Sequence, residues 1–417
     1  MTTNPIMRER LAMQDNEPDR IHRLQLPERA AIAGASARRA DLDLLAQAPK
    51  DFLDTTHFDT IRFPPPAWAL DSFAKAAKDG QLAYSPYRGN KVVLRSLAET
   101  VGRFLGVKID PERNIILTPG TQGALFAALS SLVDREERIT LIDPDYLFYA
   151  RMARFLDADV GYVPLHFNQE NPSPDLDKLE AEFKKGSKYL VLSHPNNPTG
   201  AVFDRGTVSA ICKLAQRYGV TILADELYSR LLHDDRAFPH FAAEPGMSDR
   251  VITLLGPSKT ESLSGYRLGV VVGPAHLVDR MENVLSLTSL RAPAYSQHIL
   301  IPWLRDDQEW LATRLREFTA LREMTVTKFQ KLPWLRLRPQ AGTAYAWPDI
   351  SKLELPDADV AGAILRDAGV LVSPGYQFGP QANGHFRVCY ARDEAIWSSA
   401  LDRMVAVLQK LARSRGL

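Results

Sequence analysis

Val251-Ile252-Thr253-Leu254-Leu255 runs into Gly256-Pro257-Ser258-Lys259, and eight residues later Arg267 precedes a second apolar run, Leu268-Gly269-Val270-Val271-Val272. Both runs are short and rich in branched aliphatic residues, so they read as buried strands, and the glycine and proline between them mark a loop. Most lysines are solvated surface groups. Lys259 differs in closing a buried strand. Upstream, similar runs occur at residues 114–118, 138–142, 188–192 and 220–224, and the segments 122–133 and 207–218 between them have helical apolar spacing. Strands alternating with helices imply an α/β fold with a mainly parallel sheet flanked by helices. Such sheets bind ligands beyond the carboxyl ends of their strands. Gly120, Asn197, Asp225 and Lys259 all fall there.

The pattern changes on either side of this region. Pro64-Pro65-Pro66 reads as an extended connection after a polar segment whose only helical stretch is 28–46. Beyond about residue 300 come a long charged helix at 307–331, short strands near Arg336 and Tyr345, a helix at 357–367, strands at 370–372 and 386–390, and a terminal helix at 393–412. We therefore expect an N-terminal arm and part of a small domain in residues 1–65, a large domain in 66–300, and the remainder of a small α+β domain in 301–417. The chain's 417 residues suit such a division.

Lys and Arg total 51 against 50 Asp and Glu, with no block of like charge, so neither nucleic acid nor an anionic membrane is an expected partner. Cys212 and Cys389 are the only cysteines, which excludes a disulfide framework and fits a reducing compartment. The N-terminal stretch lacks the apolar core of a secretory signal, and no apolar run approaches the ~20 residues that span a bilayer. The expectation is a cytoplasmic protein acting on small molecules. His233 and His240 lack zinc-ligand spacing, so no metal is expected. Gly256-Pro257-Ser258-Lys259-Thr260 ends like a P-loop, but Ser258 and Thr253 stand where that motif needs glycine.

Taken singly, the remaining polar residues have ordinary readings. Asp225 after a strand could be a helix cap, Tyr228 and Tyr146 core aromatics, and Asn197 in Pro195-Asn196-Asn197-Pro198-Thr199-Gly200 part of a turn. Together they match one cofactor. Pyridoxal 5′-phosphate (PLP) needs a lysine for its Schiff base, an acid at its pyridine nitrogen, a face for its ring and a dense set of phosphate donors. Lys259 supplies the first and Asp225 the second. Tyr228 and Asn197 are placed to donate to the phenolate oxygen O3′, and Tyr146 to cover the ring. Gly120-Thr121-Gln122, where a strand ends and a helix begins, offers free N–H groups to a phosphate, and Arg267 adds a charged contact. Arg387, inside the apolar run Phe386-Arg387-Val388-Cys389-Tyr390, needs a carboxylate if buried. A substrate α-carboxylate is the natural one.

With these residues in view, the chain from about Phe52 onward resembles the class I/II aminotransferases, the fold-type I, aspartate aminotransferase-like PLP enzymes. The lysine-region signature is present as Gly256-Pro257-Ser258-Lys259-Thr260-Glu261-Ser262-Leu263-Ser264-Gly265-Tyr266-Arg267-Leu268-Gly269, with Pro257 where the family prefers an apolar or small residue. The resemblance implies a seven-stranded large-domain sheet and an aminotransferase activity between an L-amino acid and a 2-oxo acid. It also implies a homodimer with shared active sites, in which Tyr84 reaches the neighbour's phosphate. The alternative on the same scaffold is a PLP-dependent lyase, decarboxylase or oxidase. Three positions depart from the family pattern. Phe58 stands where many relatives have a glycine in a loop covering the substrate, which makes it a substrate-binding candidate. Gly256 replaces a phosphate-binding serine, leaving Ser258 or backbone groups to serve. Leu287 occupies the place of the arginine that dicarboxylate-specific members use for the side chain, and nearby Arg291 has no assigned role.

Overall fold

The structure, a computed structural model, describes residues 18–24, 48–80, 84–167 and 172–417. The helix expected at 28–46 lies outside these. Numbered along the chain, the strands are β1 (Leu53–Asp54), β2 (Ile115–Pro119), β3 (Arg138–Asp143), β4 (Asp159–His166), β5 (Ser173–Pro174), β6 (Tyr189–Ser193), β7 (Thr221–Asp225), β8 (Val251–Leu255), β9 (Leu268–Val272), β10 (Tyr345–Ala346), β11 (Val370–Leu371), β12 (Ser373–Pro374) and β13 (Phe386–Cys389).

The central sheet has the order β2-β9-β8-β7-β6-β3-β4-β5. Neighbours from β8 through β4 are parallel, whereas β9 is antiparallel to both β8 and β2. Seven strands therefore match the expected sheet, and the two-residue β5 adds an antiparallel edge to β4. The seventh, β4, is not evident as an apolar run, because Asp159, Gly161, Pro164 and His166 interrupt it.

Alternation along the strands assigns each side chain to a layer. In β7, Ile222 and Ala224 join the cluster containing Val208, Ile211 and Phe241, while Leu223 faces the opposite cluster with Ala124, Tyr149 and Leu277. Helices Gly120–Leu132 and Ala275–Thr288 cover that second face. With apolar groups buried on both faces, the polar ends of the strands are where chemistry can collect. Pro119, Asp143, Ser193, Asp225 and Leu255 end their strands at one edge of the sheet. Because β9 runs the other way, its amino end brings Arg267 to that same edge.

The second unit is built around helices Gln308–Phe329 and Glu394–Arg413, joined by a Trp397 Nε1–H bond to Thr325 Oγ1 of 2.9 Å. It carries the antiparallel set β10-β13-β12, and β1 pairs in parallel with β11, drawing the segment after residue 52 into this unit. The strand expected near Arg336 is only an isolated bridge to Asp349. The helix expected at 357–367 is α-helical over Asp357–Ala363 and continues as a π-turn, Ile364–Ala368.

Candidate active site

Between the sheet edge and the second unit lies a cavity of about 680 Å³. Thr121, Gln122, Tyr146, Asn197, Asp225, Tyr228, Ser258, Lys259, Arg267 and Arg387 all line it. Residues spread over some 270 positions of chain thus converge because strand ends and β13 face each other across one gap.

Asp225, at the end of β7, is half-buried at the cavity and has no ion pair among the described residues. Burial pushes its carboxyl up to about 6, opposed in part by hydrogen bonds from the Tyr149 hydroxyl (3.0 Å) and the Leu227 N–H (3.2 Å). A cation placed against it would hold it ionised. Tyr149 has no signal in the sequence that separates it from a core aromatic, although its place three residues after Tyr146 puts both on one side of the chain. Tyr228 is buried, with its hydroxyl donating to that of Tyr345 at 3.2 Å. The Tyr146 hydroxyl donates to Gln122 Oε1 at 3.2 Å, and burial raises the pKa of both phenols, so they stay protonated donors.

The helix Gly120–Leu132 begins after Pro119 without a side-chain cap, leaving its first N–H groups available to an anion. Gly120 has a φ of +77°, and a Cβ there would lie 2.5 Å from Arg267 Nη2. Only glycine lets the guanidinium lie over this turn. At Gly256 a Cβ would meet the Leu268 carbonyl at 3.1 Å and Thr121 Cγ2 at 3.2 Å. A side chain here would be tight against Thr121, which would have to give by a few tenths of an ångström. Ser258, by contrast, lines the cavity with a buried hydroxyl lacking a hydrogen-bond partner. An unpartnered hydroxyl, a guanidinium and a bare helix start form a donor set for a phosphate dianion.

Arg387 is 5% exposed, with Nη1 donating to Asn197 Oδ1 (2.8 Å) and Nη2 to the Thr56 carbonyl (2.8 Å). Its guanidinium lies 4.2 Å from the Tyr345 ring centroid, and its buried Nε lacks a partner. No carboxylate among the described residues pairs with it. A ligand carboxylate fits this vacancy in charge, and the whole donor set fits PLP plus an amino acid.

Two expected residues are placed elsewhere. Phe58 is not on the cavity wall. It is 4% exposed in the core of the second unit, packed on Tyr228, Tyr345 and Phe318, with Lys259 Nζ 5.8 Å from its ring centroid. An aromatic ring at this position favours the apolar cluster over the polar gap. Tyr84 is 82% exposed outside the cavity, its ring under the Arg291 guanidinium at 4.4 Å.

The family model for class I and II aminotransferases matches residues 55–404. An aspartate aminotransferase of Pyrococcus horikoshii is 27% identical over 350 residues, covering 83% of this chain and 88% of that one. An aromatic-amino-acid aminotransferase of Thermococcus litoralis is 28% identical over 344 residues, 82% of this chain and 88% of that one. Among solved structures, an aspartate aminotransferase from Rhodobacter sphaeroides superposes with a TM-score of 0.84 at 33% identity, covering 87% of this chain and 95% of that one.

Proposed function

The chain belongs to the class I and II aminotransferases, and we propose that its cavity holds PLP on Lys259 and passes an amino group between an L-amino acid and a 2-oxo acid. One observation carries the assignment of residues: a single cavity collects a lysine, a half-buried acid without a cation among the described residues, and a buried arginine without a carboxylate among them. Bound there, PLP supplies an electron sink for charge developing at the substrate Cα. Lys259 Nζ would hold the group and serve as the base that takes up the proton at the substrate Cα. Asp225 holds the proton on the ring nitrogen, with Tyr149 fixing the carboxylate. Tyr228 and Asn197 donate to O3′, and Tyr146 covers the ring and excludes water. The turn at Gly120, Thr121 and Gln122, together with Ser258 and Arg267, binds the phosphate. Arg387 orients the α-carboxylate through a charged, forked contact.

The same proposal includes a homodimer in which Tyr84 reaches the neighbour's site. The exposure of the Tyr84 ring outside its own cavity supports it. Size-exclusion with light scattering tests it. The domain division at residues 65 and 300 is supported by the core that joins Phe58 and Phe63 to residues of the C-terminal segment, from Phe318 to Ala412. No described helix is long and apolar enough to cross a membrane. A cytoplasmic location is part of the reading, supported by two buried, free cysteines. The relatives named above divide between aspartate and aromatic donors, so the donor is left to a substrate panel.

The decisive experiment is borohydride reduction followed by peptide mapping. The expected result is a chromophore fixed to Lys259, and a colourless Lys259→Ala protein with kcat lower by about 10²–10⁴-fold. Colour retained on another lysine, with activity intact, overturns the assignment.

A further inference from the structure

From Asp145, behind the cavity wall, hydrogen bonds run through Ser193 and Asn197 to Arg387, which line it. Asp145, 3% exposed, follows the β3 strand and has no ion pair among the described residues. Its Oδ1 accepts from the Tyr146 N–H at 2.7 Å, its Oδ2 from the Ser193 N–H at 3.1 Å, and its carboxylate from the Ser193 hydroxyl. That hydroxyl in turn accepts from the Asn197 N–H at 2.9 Å, and Asn197 Oδ1 accepts from Arg387. Burial pushes the Asp145 carboxyl above its ordinary value, and the converging donors oppose this.

The direction of this chain is fixed from both ends. Backbone N–H groups and a guanidinium only donate, so the Asp145 oxygens accept from Tyr146 and Ser193, the Ser193 oxygen accepts from Asn197, and the Asn197 oxygen accepts from Arg387. The Ser193 hydroxyl, committed as donor to Asp145, presents a lone pair to the Asn197 backbone. The Asn197 oxygen, committed to Arg387, leaves the amide NH₂ as the side chain's one outward group. We propose that Asp145 and Ser193 are positioning residues that fix the backbone of Asn197, so that its side-chain amide, oriented by Arg387, is held where it presents a donor to the cofactor. This rests on the PLP reading above. Asp145 also holds the Tyr146 backbone, so one buried acid locates both the ring cover and the O3′ donor. Asp145 lies off the cavity, and Ser193, on its wall, acts through Asn197.

The test is a mutant cycle on the holoenzyme, read by the pH titration of the Lys259-bound chromophore, KM for the amino donor, and Tm. Ser193→Ala is expected to raise the chromophore's titration midpoint and to raise KM about 2- to 12-fold, the worth of one neutral hydrogen bond. Asn197→Ala should do both. The double variant should be no worse than Asn197→Ala alone, since both act on one donor. Asp145→Asn, which can reverse the bond to Ser193, should shift the midpoint in the same direction, and serves if Ser193→Ala does not fold. Effects of Ser193→Ala and Asn197→Ala that multiply, or a lowered Tm with an unmoved midpoint, overturn the assignment. A wild-type protein that takes up no chromophore on Lys259 overturns the cofactor reading itself, which is a different failure.

Discussion

Arg230 and Arg387 are both almost fully buried guanidinium groups, at 8% and 5% exposure, and they are satisfied in opposite ways. Arg230 donates to both oxygens of Asp307 at 2.8 Å and also to Glu261, so its charge is met by two buried acids. Arg387 contacts an amide, a carbonyl and aromatic rings, none of them anionic. An ion in a low-dielectric interior needs its counter-charge from somewhere. Around Arg230 the protein supplies it, tying the loop after Lys259 to the start of the helix Gln308–Phe329. Around Arg387, as around Asp225, it is left to the ligand. Compensation thus separates a structural charge from a binding one more clearly than burial does.

The sharpest attempt to break this contrast is Arg230→Met. It should cost about 3–5 kcal/mol of stability, read from denaturant midpoints, because two acids are left buried and unpaired. A loss no larger than that of Arg387→Met would remove the distinction.

Next in size is the pH dependence of Asp225. Its folded value, about 6, lies above the ordinary 3.8. The contribution of this one raised carboxyl to apoprotein stability is full below pH ~4 and is lost as pH rises through 6, by on the order of 3 kcal/mol. The cationic ring nitrogen of bound PLP removes that loss. The gap in Tm between holo- and apoprotein should therefore widen from pH 4 to 6; parallel curves would count against the pairing.

Arg387→Ala should raise KM for amino donors about 10- to 150-fold, equivalent to about 1.5–3 kcal/mol, without a stability loss like that of Arg230→Met. Steady-state kinetics with donor varied checks it. The smallest effect is expected at Phe58, which packs behind the wall. Phe58→Leu should lower stability by about 1 kcal/mol and leave KM unchanged. A changed donor preference would return Phe58 to the substrate wall.

Much of the cavity could be read in the chain because its residues sit at the ends of apolar runs, where period and position are visible. Lys259, Asp225 and Asn197 are of this kind. Phe58 shows the limit: matching a loop by position does not tell which way a side chain turns, and the aromatic cluster turned it inward. Tyr149, Asp145 and Ser193 lie among ordinary neighbours, and only the packing of β3, β6 and β7 brings their polar atoms together. The Arg230 ion cluster joins residues 31 and 77 positions apart, a pairing that no local pattern encodes.

The close fit of Arg267 over Gly120, and of Thr121 against Gly256, has a consequence for recombination. The turn at 120–121 and the loop at 256–267 form one inherited unit although more than a hundred residues separate them. A chimaera whose crossover falls between them, joined to a parent with serine at position 256, would press a side chain against Thr121 and the Leu268 carbonyl. Libraries built by shuffling this gene with its relatives should draw both segments from the same parent.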